Sequence, residues 1–279
     1  MLKKRIVTAL AMFLCFVSAI YFLPASTLAW AFAVVAAAGA WEWGYLAGWN
    51  TPIRRVAFVG AFLCLCGAYA LAYRPDTAPA AMIIQPVLGF VCLVWLINAL
   101  LVDNYPSMAS LWRSRITRSL MGLFILGSGW FSLVYVVSLP HGPLLIVLFI
   151  VTVAAADVGA FFTGRSFGKH KLAEKVSPAK TWEGLYGGLL FVCVLALLVW
   201  NFLPPVFAHV HHMEVLCIGA ACAGASVLGD LTVSMVKRES GYKDSGALLP
   251  GHGGLLDRLD SICGAAPFFA LSMVLVVYS

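Results

Sequence analysis

The sequence predicts an all-α integral membrane protein with about nine transmembrane helices. Of its 279 residues, 62% are hydrophobic and only 11% are charged, and the mean hydropathy is +0.94. A water-soluble domain of this size is far less apolar. In addition, the chain contains repeated apolar runs of about 18 residues or more, a length that crosses the ~30 Å hydrocarbon core of a bilayer as a helix. These observations exclude a soluble globular fold.

The apolar runs define the predicted elements in order. No internal repeat and no linker long enough to separate soluble domains interrupts them. Charged residues and glycines concentrate after residue 150, so we expect residues 1–140 to form a scaffold of helices and residues 141–279 to carry the functional site. The nine predicted spans cover residues 6–23, 25–48, 56–73, 80–102, 119–139, 143–163, 184–203, 215–236 and 259–278.

The distribution of basic residues predicts the orientation. Lysine and arginine near the ends of spans are retained on the cytoplasmic side of a membrane. With the N-terminus inside, every basic residue except Arg74 falls on the cytoplasmic side. We therefore predict a multi-pass protein of the inner (cytoplasmic) membrane, with its N-terminus and active site facing the cytoplasm and its C-terminus outside. Attraction to anionic lipid explains much of this asymmetry, but not the crowding of charge into two loops.

The segment 234–260 places many ionisable side chains between two hydrocarbon runs. A charged side chain at the centre of a spanning helix costs about 2.5 to 3.5 kcal/mol on insertion scales, so such residues are functional candidates by default. The segment is therefore the first place to look for a site. Its ionisable residues are Lys237, Arg238, Lys243, Asp244, His252, Asp257, Arg258 and Asp260.

Three elements are predicted to meet at the cytoplasmic face. The sixth span ends after Asp157, and a basic loop follows. The eighth span carries polar residues at spacings of four, four and three, which place them on one helical face. Asp257 and Asp260 share a face of the ninth span. A glycine-rich turn at 250–254 can bring backbone N–H groups close to a bound anion. The loop residues are Lys171, Ser177 and Lys180, and those of the eighth span are Ser226, Asp230, Ser234 and Lys237.

The mixture of acids and bases indicates chemistry on phosphates. Asp230 and Asp257 offer hard oxygen ligands for Mg²⁺, which takes one or two protein carboxylates plus substrate phosphates. Lysine and arginine bind phosphate oxygens. Carboxylates for a metal and bases for phosphate together are typical of phosphoryl or nucleotidyl transfer. The alternative is that Asp230 only neutralises Lys237 or Arg258 in a buried ion pair.

Glu42 is the exception in a first half that otherwise contains little chemistry. It lies between two tryptophans inside the second predicted span. Contact with a ligand and an ion pair with Arg54 or Arg55 both fit a buried carboxylate at this place. We favour the ion pair.

These residues of the segment 234–260 resemble the signature of a known family, the phosphatidate cytidylyltransferases, also called CDP-diacylglycerol synthases. The run 177–184 and Asp157 are similar to the bacterial members. The resemblance covers about residues 155–262, and the first half agrees only in having many spans. The fixed positions of the family signature are matched by Ser234, Lys237, Arg238, Lys243, Asp244, Gly246, Leu249, Pro250, His252, Gly253, Gly254, Asp257, Arg258 and Asp260.

The resemblance implies transfer of the cytidylyl group of CTP to phosphatidic acid, with Mg²⁺ as cofactor. It suggests a two-ion centre at Asp230 and Asp257, and phosphatidate as the nucleophile at the α-phosphorus. The catalytic group would be completed by Lys237, Arg258 and His252, with His252 orienting a phosphate or the loop. The substrate-binding residues would be Lys171, Ser177, Lys180, Ser234, Arg238, Lys243, Asp244, Gly253, Gly254, Asp260 and Asp157.

The expected partners are CTP, phosphatidic acid and the bilayer, and no nucleic acid. The family resemblance suggests a homodimer. The residues alone do not predict one. Two other functions stay open at this stage. A CTP-dependent lipid kinase would use similar ligands but transfer the γ-phosphoryl group. An anion or phosphate transporter would also carry charges within its spans, although here they cluster at one face.

Overall fold

The computed structural model describes residues 16–248 and 253–278. Within them the chain forms long helices and one small β-hairpin, and residues 16–22 are the described part of helix α1. Eight further helices are long and apolar enough to cross a bilayer, which confirms the predicted all-α membrane fold. They are α2 (Ala25–Leu46), α3 (Pro52–Ala72), α4 (Ala81–Asp103), α5 (Arg115–Ser138), α6 (Gly142–Phe167), α7 (Trp182–Trp200), α8 (His212–Glu239) and α9, which begins at Leu256–Ser272 and continues as a π-helical turn through Met273–Val277.

Successive helices alternate in direction, so that their ends form two separate faces. At one face Ser26 N donates to Asp76 Oδ1 over 2.8 Å. At the other, Arg118 Nη1 donates to the carbonyl oxygen of Leu46 over 2.9 Å. This second face, where α2, α4, α6 and α8 end, is the basic end of the bundle. Among the described residues, every lysine and arginine except Arg74 belongs to helix ends or connections of the basic end.

A β-hairpin connects α6 to α7 at the basic end. Strand β1 (Lys171–Ala173) pairs antiparallel with strand β2 (Ser177–Thr181), in a segment that the sequence predicted only as a loop. The hairpin is fixed at both ends. The Thr181 hydroxyl oxygen accepts from Gly184 N over 3.1 Å and caps α7, and Arg238 Nε on α8 donates to the carbonyl oxygen of Val176 over 3.1 Å. The hairpin therefore lies against the end of α8.

Glycines allow the helices around the site to pack closely. Where α8 and α9 cross, a Cβ atom on Gly264 would lie 2.6 Å from the Cα atom of Gly229. A Cβ atom on Gly188 of α7 would lie 2.7 Å from the carbonyl oxygen of Ala156 on α6. Small residues are favoured at such contacts because helices in lipid associate through close packing. The crossing at Gly229 brings the neighbouring Asp230 close to the start of α9.

Helix α9 of the second half packs against α2, α4 and α5 of the first half as well as against α8. The largest buried cluster also includes both halves, with Trp43, Trp95 and Leu126 from the first and Leu231 and Leu256 from the second. The division into a scaffold at residues 1–140 and a site-bearing part at 141–279 stays a prediction.

Candidate active site

A cavity of about 370 Å³ at the basic end is surrounded by acidic and basic side chains. It lies between α6, α8 and α9, which confirms that these predicted elements meet. Two carboxylates named from the sequence as metal ligands, Asp230 and Asp257, both line it. The lining residues are Ile150, Val153, Ala154, Asp157, Asp230, Lys237, Asp257, Arg258, Asp260, Ser261 and Ile262.

Asp257, in the first turn of α9, is held by three donors. Lys237 Nζ lies 2.6 Å from Asp257 Oδ1. The other oxygen, Oδ2, accepts from the backbone nitrogens of Ser245 and Gly254 over 3.0 and 3.3 Å. The side chains of Lys237 and Asp257 are only 9% and 16% exposed. Charged donors make strong, short hydrogen bonds, so this carboxylate has a fixed orientation toward the cavity.

Asp230 of α8 forms a second ion pair, with Lys180 of β2. Lys180 Nζ lies 2.6 Å from Asp230 Oδ2, and the two side chains are 24% and 30% exposed. Ser234 Oγ donates to Asp230 Oδ1 over 3.1 Å. The sequence had offered Lys237 or Arg258 as ion-pair partners of Asp230. The structure pairs it with Lys180, and Lys237 pairs with Asp257, so the hairpin contributes directly to the site.

A second cavity of about 520 Å³ adjoins the first. Asp157 and Asp230 line both cavities, so these two carboxylates mark the boundary between them. Volumes of this size are ordinary for small-molecule sites. The second cavity also brings together Ser177 and Lys180, which were predicted from the loop before α7, with Arg165 and Thr181, which were not predicted as site residues.

Other predicted residues lie at or near these cavities. Asp260 is 5% exposed and its Oδ1 accepts from Ser261 N over 2.8 Å. Arg258 lines the first cavity. Gly253 has a φ of +85°, a left-handed conformation that glycine adopts without strain. Gly254 supplies one of the N–H groups that hold Asp257.

Seven of the predicted substrate-binding residues do not line the two cavities; besides Ser234, Gly253 and Gly254, they are Lys171, Arg238, Lys243 and Asp244. Lys171 Nζ donates to the carbonyl oxygen of Pro178 across the hairpin over 2.7 Å. Arg238 is engaged with the hairpin, as described above, and Lys243 and Asp244 are exposed in the connection between α8 and α9. His252, predicted as catalytic, lies outside the described residues.

The predicted ion pair between Glu42 and Arg54 or Arg55 is wrong. Glu42 Oε2 accepts instead from Ser245 Oγ over 3.0 Å and from Leu256 N over 2.8 Å. Arg55 Nε donates to the carbonyl oxygen of Trp49 over 3.1 Å. Contacts between residues more than 200 positions apart leave no periodic signal. The sequence feature that reflects this contact is the pair Gly246 and Gly254, since both glycines lie against the Glu42 carboxyl group.

The donor set at the first cavity fits Mg²⁺. Among residues 16–248 and 253–278, no group of three or more histidine, cysteine or acidic residues is arranged to hold a metal ion. An ion at Asp230 and Asp257 would therefore take its remaining ligands from phosphate oxygens and water, as Mg²⁺ characteristically does. The ammonium groups of Lys180 and Lys237 now provide the positive partners of these carboxylates.

A helical bundle with paired carboxylates and ammonium groups around cavities at one end defines a class of membrane enzyme that acts on phosphate compounds. Comparison with known proteins identifies the family. The profile of the Cytidylyltransferase family matches residues 3–276, and the chain belongs to this family.

Two curated relatives match almost the whole chain. A phosphatidate cytidylyltransferase of Pseudomonas aeruginosa is 40% identical over 271 residues, which cover 97% of this chain and 96% of the relative. A phosphatidate cytidylyltransferase of Haemophilus influenzae is 36% identical over 285 residues, which cover 97% and 98%. The similarity thus includes the first half, for which the sequence pattern alone gave only a count of spans.

Proposed function

We propose that this chain is a phosphatidate cytidylyltransferase, which converts CTP and phosphatidic acid into CDP-diacylglycerol and pyrophosphate. The observation that carries the proposal is the pair of adjoining cavities at the basic end, with Lys180–Asp230 at their boundary and Lys237–Asp257 in the first. The names of the full-length relatives support it. A lipid phosphate and a nucleoside triphosphate are both anions, so a site that joins them requires cations.

In the reaction, a phosphate oxygen of phosphatidate forms a bond to the α-phosphorus of CTP. The bond between that phosphorus and the oxygen leading to the β-phosphate breaks, and pyrophosphate leaves with the electron pair. The nucleophile is already ionised near pH 7, since the second pKa of a phosphate monoester is about 6. The protein therefore needs no strong general base, which fits a site rich in ammonium and guanidinium groups.

We assign the basic residues to the substrate phosphates and the acidic residues to the metal. Lys180, Lys237 and Arg258 face the cavities and would offset negative charge on the two substrates. Asp230 and Asp257 would hold Mg²⁺, with a two-ion centre as the form suggested by the family resemblance. When bound, Mg²⁺ would neutralise charge on the reacting and leaving phosphate oxygens. Since Lys180 is paired with Asp230 in the more exposed of the two pairs, metal binding there would free its ammonium group for phosphate.

The remaining predicted residues have roles around this centre. Ser234 would orient Asp230 through its hydrogen bond, and Gly254 would orient Asp257. Asp157 and Asp260 would shape the cavity and its field. Lys171, Arg238 and Lys243 would act at the entrance, as part of the basic surface that attracts CTP, and Asp244 would have a supporting role beside Lys243. For His252 we retain the proposed role of orienting a phosphate.

We propose that the basic end faces the cytoplasm of the inner membrane, because positive charge is retained on that side. The lipid headgroup would then reach the cavities from the inner leaflet, and CTP from water. Alkaline phosphatase fused to the C-terminus should accordingly be active outside the membrane. An inactive fusion on a folded protein would reverse the orientation. The homodimer stays a proposal that rests on the family.

The activity is tested with purified protein in detergent, phosphatidic acid and CTP labelled at the α-phosphate. Label should enter the lipid, one pyrophosphate should be released per lipid product, and EDTA should stop both until Mg²⁺ is restored. A kinase would transfer label from the γ-phosphate instead, and a transporter would release no pyrophosphate. Either result would overturn the proposal.

A further inference from the structure

Glu42 is a buried carboxylate that the reaction outlined above does not use. It lies on α2, in the half predicted to be a scaffold, and is 3% exposed. Its Oε2 atom accepts from Ser245 Oγ and from Leu256 N. Leu256 is the first residue of α9, where backbone N–H groups have no partner within the helix. Glu42 therefore caps α9 from another helix.

Ser245 connects Glu42 to Asp257. The hydroxyl group of Ser245 donates to Glu42 Oε2, while its backbone nitrogen donates to Asp257 Oδ2 over 3.0 Å. Ser245 is 1% exposed, so water does not compete strongly for these bonds. Asp257 in turn accepts from Lys237. A continuous series of hydrogen bonds thus leads from α2 to the ion pair in the cavity.

Two glycines are required for this contact. A Cβ atom on Gly246 would lie 2.7 Å from Glu42 Cδ, and one on Gly254 would lie 2.8 Å from Glu42 Oε2. Real Cβ atoms do not approach other atoms so closely. Gly246 and Gly254 belong to the two sides of the α8–α9 connection. The Glu42 carboxyl group is therefore enclosed by both sides of the connection that leads to Asp257.

We infer that Glu42 is a positioning residue, which acts through Ser245 and the start of α9 to hold Asp257 toward the cavity. The predicted effect of Glu42 on turnover rests on the proposed function. Its predicted effect on the order of the backbone between α8 and α9 does not. The Glu42 Oε1 atom is buried and has no hydrogen-bond partner among the described residues. A glutamine can therefore place its carbonyl oxygen at Oε2 and its amide at Oε1, so the hydrogen bonds survive without the charge.

The test combines amide hydrogen exchange with steady-state kinetics of Glu42→Ala and Glu42→Gln in detergent. In Glu42→Ala we expect the amides of Ser245, Gly254 and Leu256 to exchange about tenfold faster, because a charged hydrogen-bond acceptor is lost. We expect kcat to fall about 30-fold, with KM for CTP changed less than about threefold. Glu42→Gln should stay within about threefold of the parent in exchange and in kcat.

Glu214→Ala is the matched control. Glu214 Oε2 accepts from His211 N over 2.7 Å and caps α8 at the opposite end of the bundle. This variant should keep parental kcat and parental exchange at the α8–α9 connection, although it also loses a glutamate that caps a helix. A fall in kcat as large as that of Glu42→Ala would mean that any lost cap impairs the enzyme, and would overturn the inference.

Two further results would overturn it. One is parental exchange at the connection in Glu42→Ala. The other is a Glu42→Gln enzyme as slow as Glu42→Ala with its amides still protected, since charge rather than position would then matter. Should Glu42→Ala not fold, Ser245→Ala decides, and unchanged exchange and kcat there would refute the inference. A parent protein that makes no CDP-diacylglycerol would refute the proposed function, while the exchange experiment would still test Glu42.

Discussion

The two ion pairs of the site differ in how firmly they are held. Lys237 and Asp257 are 9% and 16% exposed, and both oxygens of Asp257 are occupied by donors, two of them backbone N–H groups. Lys180 and Asp230 are 24% and 30% exposed, and Lys180 comes from a two-stranded hairpin. Electrostatic attraction weakens as water enters. The buried pair therefore acts as a fixed template, and the exposed pair is the one that substrates can open.

Because the two pairs differ in exposure, we expect substitutions in them to have different effects. Removing one partner of a buried pair leaves an uncompensated charge, which costs more than the pair itself contributed. An exposed ion pair contributes little to stability. Removing Lys180 should therefore mainly weaken the binding of CTP.

Asp257→Asn should have the largest effect, a fall in kcat of about 1,000-fold. Asparagine keeps the shape of the side chain but loses the charge that pairs with Lys237 and that would hold Mg²⁺. The measurement is initial-rate formation of CDP-diacylglycerol over a range of Mg²⁺ concentrations. Asp76→Asn is the control, since Asp76 also accepts a backbone N–H but at the opposite end. More than about a tenth of parental turnover would remove Asp257 from the metal site.

Asp230→Asn should lower kcat by about 100-fold. We expect a smaller loss than for Asp257 because the Asp230 side chain is more exposed and water can partly replace it. The concentration of Mg²⁺ at half-maximal rate should rise, which a purely structural defect would not produce. Ser234→Ala, which removes only the donor to Asp230 Oδ1, serves as the milder comparison. An unchanged Mg²⁺ dependence in Asp230→Asn would contradict the assignment.

Sequence patterns predicted most of the fold and much of the site, for identifiable reasons. Long apolar runs and alternating basic ends are local signals, and they correctly gave the helices α2 to α9. The spacing of Asp230, Ser234 and Lys237 is also local, since one helical face presents them together. Asp257 and Asp260 likewise share the first cavity, as their spacing of three predicted.

Partners across the fold could not be predicted in the same way. The pairing of Lys180 with Asp230 depends on a hairpin whose strands are too short to show an alternating pattern. Glu42 and Ser245 are 203 residues apart in the sequence. Arg54 and Arg55 were nearer candidates, but both guanidinium groups lie over aromatic rings, at 5.9 Å from Trp49 and 4.7 Å from Tyr45. Cation–π contacts satisfied the arginines that seemed to require a carboxylate.

Lys180→Met should raise KM for CTP about tenfold and change kcat less. The reason is that the exposed pair can open, so that Lys180 interacts with a phosphate when the nucleotide binds. Rates measured as a function of CTP concentration at saturating phosphatidate give both constants. Lys180→Arg should retain most of the affinity, since it keeps the charge. A large fall in kcat with unchanged KM would instead place Lys180 with the fixed pair.

Glu239→Gln should have the smallest effect, and it tests whether facing the cavity is what separates important pairs from unimportant ones. Glu239 Oε1 lies 2.6 Å from Arg113 Nε at the basic end, where the Glu239 side chain is 11% exposed but that of Arg113 is 65% exposed. Neither residue lines the two cavities. Pairs of this kind contribute about 0–1 kcal/mol to stability. We expect kcat within about twofold of the parent and a small decrease in thermal stability, measured by unfolding in detergent. A loss of turnover comparable to that of Lys180→Met would mean that charge anywhere at the basic end supports activity, and the contrast between the fixed and the exposed pair would no longer explain the site.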